Sequence, residues 1–211
     1  MNQLPASIRS FIRTWLFFEV LVWIYVLAFS RFDQLRWINE WHQPILDLIF
    51  RFFTSLAEVF LPLLFALFLY FQNRKWVLPY LGSYLLSTLI TQALKHLVFA
   101  GNMRPFAYFR NESYDWYTVP GVFINEFNSM PSGHTAAAWF MFFWMALVAK
   151  SARWGVFMAL MATGVALSRV YLFQHFPIDT AVGAIIGVLS SATLYYLTIF
   201  KKSDHESNPS A

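Results

Sequence analysis

Residues 168–179 read Ser168-Arg169-Val170-Tyr171-Leu172-Phe173-Gln174-His175-Phe176-Pro177-Ile178-Asp179, and they lie between two long apolar runs, 154–167 and 178–200. Arg169, His175 and Asp179 therefore fall where one membrane helix ends and the next begins. Ionisable groups at such a depth are costly and mark functional sites by default. Pro177 is placed to open the second helix. Asp179 then stands in its first turn, close enough to orient the His175 ring and favour the imidazolium form. An imidazole fixed by a carboxylate serves as nucleophile or as general acid and base. Arg169 offers a planar fork of donors suited to phosphate. The same residues also fit a His–Asp pair that merely caps a helix, with Arg169 reaching for lipid headgroups. This stretch alone does not decide between the two.

Two further segments carry related chemistry. Pro131-Ser132-Gly133-His134 opens the apolar run 135–149. Ser132 is a natural N-cap, and backbone N–H groups at a helix start form an anion site. Gly133 removes a side chain where a ligand would have to approach the backbone. Lys95 closes the apolar run 77–94 and is followed, after a loop, by Arg104-Pro105. Lys95, Arg104 and Arg169 supply three cations, and His134 and His175 supply two titratable rings.

In this order, Lys95…Arg104-Pro105, Pro131-Ser132-Gly133-His134 and Ser168-Arg169…His175…Asp179 resemble the three-part signature of the type-2 phosphatidic acid phosphatase family. That family also contains soluble acid phosphatases and vanadium haloperoxidases. The second and third parts fit residue for residue. The first departs: residues 96–103 make a gap of eight between lysine and arginine where the usual pattern has six. Leu97 is the position that would keep the shorter gap, and it cannot bind phosphate, so Lys95 takes the lysine's place. The resemblance covers about residues 35–200. It implies that His175 attacks phosphorus, that Asp179 orients and supports it, and that His134 protonates the leaving group and then activates water against a phosphohistidine. The phosphoryl group is expected among Lys95, Arg104, Arg169, the Ser132 hydroxyl and the backbone N–H groups around Gly133. Charge on the equatorial oxygens is stabilised there, and no metal or cofactor is expected.

Composition agrees with a membrane setting. The 211 residues are 58 % hydrophobic and only 12 % charged, with a mean hydropathy of +0.50, against about 45–50 % apolar and about 25 % charged in soluble chains. A single membrane-embedded domain over 1–211 is expected, its core at about 35–200 and a polar tail at 201–211. The pI of 9.4 does not point to nucleic acid, because the basic residues sit at the ends of apolar runs, where topology explains them. With no cysteine, disulfides and thiolate metal sites are excluded.

The expected architecture is all-α: a six-transmembrane-helix bundle with spans at 11–29, 54–71, 76–94, 135–149, 154–172 and 178–200. An interfacial segment at 31–51 and an aromatic-rich polar loop at 100–130 are expected on the extracytoplasmic side. The first run, about 28 Å long as a helix, nearly matches a bilayer core of about 30 Å. A signal peptide competes there, since Ala28-Phe29-Ser30 loosely resembles a cleavage site, but the run is long for one and reads as an anchor. Glu19 within it is expected to face the bundle or the interface. The polar loop reads equally as a lid or lipid entrance beside the site and as an interfacial loop packed on the bundle. The short turns at Arg74-Lys75 and 150–153 are basic and free of acids. They and both termini are therefore expected on the cytoplasmic side of a bacterial inner membrane, with all three motifs facing outward.

The function these readings imply is hydrolysis of a phosphomonoester or diphosphate of a lipid, of the undecaprenyl pyrophosphate, phosphatidylglycerol phosphate, phosphatidic acid or lipid A class. The partners are then the lipid substrate and membrane lipids. The same residues equally serve a phosphotransferase that passes the group to another lipid. A transporter for an anionic lipid or phosphate predicts charges mid-span on discontinuous helices, whereas here they gather at span ends.

Overall fold

The helix formed by residues Gly133–Ala149 is apolar on every side, and eleven of its 17 residues are buried. A helix hydrophobic all round belongs inside a bundle, and this one packs against four others. The structure, a computed structural model describing residues 4–200, arranges the helices in chain order as α1 (Ala6–Ala28), α2 (Arg31–Asn39), α3 (Pro44–Ser55), α4 (Phe60–Gln72), α5 (Val77–Ala93), α6 (Pro105–Tyr108), α7 (Gly133–Ala149), α8 (Ala152–Tyr171) and α9 (Pro177–Tyr195). Among the described residues the only extended pairing is one antiparallel bridge, Met103 with Phe127. The polar tail expected at 201–211 lies outside the described residues.

Four helical segments are long and apolar enough to cross a membrane: Ala6–Ala28, Arg74–Val98, Ala152–Tyr171 and Pro177–Thr198. The second is α5 extended by a 3-10 turn at Arg74–Trp76 and a π turn at Leu94–Val98. α7 is shorter, and α3 and α4 qualify only as a pair bent by 48°. The expected unbroken span at 54–71 is therefore corrected. Thr54 belongs to α3, and α4 starts only at Phe60. Pro62 accounts for the break. Continuing the helix through it would cost the hydrogen bond to the carbonyl of Glu58 and set the proline ring against that carbonyl. The Pro62 carbonyl accepts the hydroxyl of Tyr80 at 2.9 Å, which ties α4 to α5.

Small residues set the closest crossings, as expected where helices associate in lipid. A Cβ on Gly183 would come within 2.5 Å of the Ser132 carbonyl oxygen, and one on Gly187 within 2.4 Å of that of Ala136, so α9 lies directly on α7. α1 meets α8 the same way, Gly155 against the carbonyl of Ser7, with Ser10 Oγ donating to Ala152 O at 2.7 Å. Glu19, half-buried on α1, accepts the indole N–H groups of Trp15 (3.2 Å) and Trp23 (2.9 Å), one turn either side. That pairing lets a carboxylate sit within an apolar helix.

The segment at 31–51 holds α2 and most of α3. Ser30 caps α2 by accepting the N–H of Asp33, and α3 packs against α8. The aromatic loop covers this end of the bundle. Phe109 stacks on Trp116 at 4.9 Å and Trp116 meets Phe173 at 5.0 Å, while Phe123 stays 81 % exposed.

Candidate active site

The link between α8 and α9 fixes the geometry. α8 ends at Tyr171, Phe173 takes a left-handed conformation (φ 59°), and the chain turns back on itself. Both Gln174 N–H (2.9 Å) and His175 N–H (3.2 Å) donate to the carbonyl of Arg169. The cation and the imidazole are thus tied through one carbonyl group. Pro177 opens α9 as expected, and Asp179 in its first turn is buried. Its Oδ2 accepts the N–H of Phe176 at 3.0 Å and the hydroxyl of Ser129. His175 Nδ1 stands 3.4 Å from the same oxygen, an ion-pair distance without a hydrogen bond.

His175 is 1 % exposed. That burial pushes its imidazole below the ordinary histidine range; Asp179 opposes the shift, and Arg104 and Arg169 add to it. Desolvation wins, so the ring is held neutral. Asp179 does pull toward the imidazolium form, and burial outweighs that pull. A neutral ring keeps the lone pair that a nucleophile needs.

The second motif joins the third through the backbone. Ser132 N–H donates to the Asp179 carbonyl at 2.9 Å. Ser132 also caps α7 as expected, its Oγ accepting from Thr135 N–H (3.4 Å) and Thr135 Oγ1 (2.9 Å). It is fully buried, so two donors already converge on its oxygen and only its own proton is left to offer a ligand. His134 is half-buried on the first turn of α7. It lines two cavities at once. One, of about 340 Å³, is bordered by Arg169, Gln174, Thr54, Arg51 and Glu58. The other, of about 180 Å³, runs past Gly133 to Tyr84 and Pro62 among α4, α5 and α7.

The first motif closes the ring of cations. Arg104 is buried; its Nε donates to Phe127 O (3.0 Å) and its Nη1 to both the carbonyl (3.3 Å) and Oε1 (3.1 Å) of Gln174. Lys95 lies in the π turn that ends the α5 segment. It is half-buried and within electrostatic reach of Arg104, Asp179 and Arg169. Leu97 points outward, 82 % exposed. The long gap to Arg104 is taken up by that π turn and a tight turn through Gly101 (φ 73°). Arg169 donates from Nη1 to Thr54 Oγ1, and its buried Nε has no partner. Such an orphaned donor calls for an acceptor.

All eight residues expected from the sequence therefore gather at one end of the bundle, with Gly133, His134 and Arg169 on the cavity walls and the others packed behind them. Four polar participants carried no signal the sequence reading used: Ser129 on Asp179, Gln174 on Arg104, and Thr54 and Arg51 from α3. Ser129 lies three residues before Ser132 and Gln174 directly precedes His175, so proximity to the motifs was their available signal. Thr54 lies 115 residues from Arg169, and nothing local announces the contribution of α3.

The chain is similar to several known proteins. Residues 76–203 match a family model described as the PAP2 superfamily. A Bacillus licheniformis protein called bacitracin transport permease protein BcrC is 27 % identical over 172 residues, which is 78 % of each chain. Among solved structures, LpxE of Aquifex aeolicus is similar with a TM-score of 0.66 and 25 % identity, over 80 % of this chain and 97 % of that one. A transmembrane PAP2-type phosphatidylglycerolphosphate phosphatase from Bacillus subtilis shares the fold with a TM-score of 0.64 and 20 % identity, over 90 % and 95 %.

Proposed function

The chain belongs to the PAP2 superfamily, and on that footing we propose that it is an integral-membrane phosphatase that hydrolyses a phosphomonoester or diphosphate of a lipid. The observation that carries the reading is the carbonyl of Arg169 holding the backbone of His175 while Asp179 stands against the ring. A phosphoryl group enters from the cavity shared by His134 and Arg169, meets the orphaned Nε of Arg169, and displaces Gln174 Oε1 from Arg104. Lys95, the Ser132 hydroxyl and the N–H groups around Gly133 complete the cradle, which stabilises charge on the equatorial oxygens.

His175 Nε2, the nitrogen turned away from Asp179, attacks phosphorus. The P–O bond to the leaving group breaks as the N–P bond forms, and His134 gives the leaving oxygen its proton. An anionic substrate beside His134 favours the protonated form required. Water then attacks the phosphohistidine, His134 takes its proton, and the N–P bond breaks to release phosphate. The smaller cavity favours a lipid substrate, because it leads from His134 between α4, α5 and α7 into the apolar layer.

We place seven apolar helices as six spans, the α3–α4 pair counting as one, with the site on the extracytoplasmic face of a bacterial inner membrane and both termini in the cytoplasm. The name of the Bacillus licheniformis relative raises transport as a second reading. The core of the bundle speaks against it: Trp139, Phe140, Phe143 and Trp144 fill α7 below the site, each at most 2 % exposed, and a polar path would need mid-span charges.

The test is phosphate release by the detergent-purified chain from a panel of lipid phosphates with EDTA present, comparing wild type with His175→Ala. Release that survives EDTA and disappears in the variant is expected. If no lipid yields phosphate, hydrolysis is wrong, and acceptor-dependent transfer is the next assay.

A further inference from the structure

Arg51 is a cation that the phosphatase mechanism does not use. It lies on α3 one turn before Thr54, the residue whose hydroxyl receives Arg169, and Arg51, Thr54, Arg169 and His134 line the same cavity. Residues three apart on a helix share a face, about 5–6 Å apart at Cβ. Arg51 therefore presents its fork one helical turn from the group that touches Arg169.

Neither carboxylate nearest it on the chain forms an ion pair with it. Asp47, four residues earlier on the same helix, has both oxygens occupied: Oδ1 by Tyr171 OH (2.6 Å) and His42 Nδ1 (3.0 Å), Oδ2 by Tyr117 OH (3.0 Å). Glu58 is the one carboxylate on the cavity among the described residues; its charge acts on Arg169, and it forms no ion pair with Arg51. Arg51 takes part in none of the ion pairs of the described residues. Its Nε is buried without a hydrogen bond, as is that of Arg169. The turn through Gly121 (φ 77°) packs over the guanidinium, where a Cβ would lie 3.6 Å from Nη2. One cavity thus holds two guanidinium groups, each with a buried N–H lacking an acceptor, and His134 stands on its wall.

We propose that Arg51 binds a second phosphate directly bonded to the reacting one, so that the preferred substrate class is a lipid diphosphate. This rests on the phosphatase reading and deepens it. His175 Nε2 bonds to the terminal phosphorus, the bond to the bridging oxygen breaks, and that oxygen takes the His134 proton. The lipid monophosphate leaves with its remaining charge on Arg51, and water releases the terminal phosphate from His175. A phosphate adjacent to the reacting centre matches a cation one helical turn from Thr54, whereas a phosphodiester several carbons away does not.

The test measures kcat/KM of the full chain in detergent on farnesyl diphosphate, farnesyl monophosphate and phosphatidylglycerol phosphate, for wild type, Arg51→Gln and Arg51→Lys. Arg51→Gln is expected to lower the diphosphate-to-monophosphate ratio about 10–100-fold, the scale of a lost charge-assisted contact. Arg51→Lys is expected to restore part of it. An unchanged ratio, equal losses on all three lipids, or a selective loss on phosphatidylglycerol phosphate would each overturn the assignment while leaving the phosphatase reading standing. A wild-type chain inactive on all three lipids would instead remove that reading, and this one with it. Thermal unfolding of each variant identifies any loss due to misfolding, in which case the Arg51→Lys ratio decides.

Discussion

The backbone carbonyl of Asp179 accepts the N–H of Ser132 at 2.9 Å. Two motifs some fifty residues apart are thereby joined at the first turns of α7 and α9, so the carboxylate that faces His175 and the cap of the helix that bears His134 cannot move independently. The Asp179 side chain adds to this by gathering Phe176 N–H, Ser129 Oγ and the His175 ring at one oxygen.

Asp179→Asn separates these roles. An amide keeps the size but loses the charge, and it cannot serve every donor aimed at that oxygen. By analogy with triad carboxylates, kcat is expected to fall about 10²–10⁴-fold with a smaller change in KM. The loss of a buried acceptor costs about 1–3 kcal/mol of stability. Steady-state kinetics with thermal unfolding checks both; full activity would show that the carboxylate only caps α9.

Gly183→Ala tests the contact beneath that junction. The new Cβ would meet the Ser132 carbonyl oxygen at 2.5 Å and Thr135 Cβ at 3.2 Å, and backbone cannot yield as a flexible side chain does. Overpacking of this kind costs about 1–3 kcal/mol. A lower melting temperature and reduced kcat are expected together, because α9 carries Asp179 and α7 carries His134. Gly101→Ala, where nothing lies within 4 Å but φ is 73°, strains only a surface turn and serves as the comparison.

Acid should destabilise the fold through its buried imidazoles. Burial lowers the pKa of both His175 and His42, the latter against the pull of Asp47. For a base with a lowered folded pKa, the unfolded chain binds the proton more tightly. Stability is then level above the unfolded value of about 6.5 and falls as pH drops below it, by up to about 1.4 kcal/mol per pH unit for each ring. Thermal unfolding in detergent between pH 8 and 5 is expected to show this decline, shallower in His175→Gln. A melting temperature that rises toward pH 5 would contradict it.

Much of this was legible in the sequence for identifiable reasons. Helix ends were marked by Ser132, Pro177 and the polar residues beside each apolar run, and the expected site was compressed into three short segments at the ends of apolar runs. The bend between α3 and α4 was missed because apolar composition hides a break that one residue, Pro62, imposes. Thr54 and Arg51 were missed for a different reason. They join the site only through tertiary packing of α3 on α8, which no spacing within the chain encodes. The net charge of His175 was not legible, because the pull of Asp179 is visible in sequence and the extent of burial that outweighs it is not.

The first motif permits a direct test of its irregular gap. Leu97 keeps the six-residue spacing to Arg104, yet it is 82 % exposed, whereas Lys95 lies inward within reach of Arg104, Asp179 and Arg169. The π turn rotates the helix end so that the earlier residue faces the site. Lys95→Met removes one cation from the cradle and is expected to lower kcat/KM about 10–100-fold, as for a charged hydrogen bond lost from an anion. The double variant Lys95→Met with Leu97→Lys restores the usual spacing in sequence. Its lysine would project away from the site, so no recovery of kcat/KM is expected. Recovery to near the wild-type value would mean that the helix end can unwind its π turn and present residue 97, and that sequence spacing rather than the observed geometry governs the cradle.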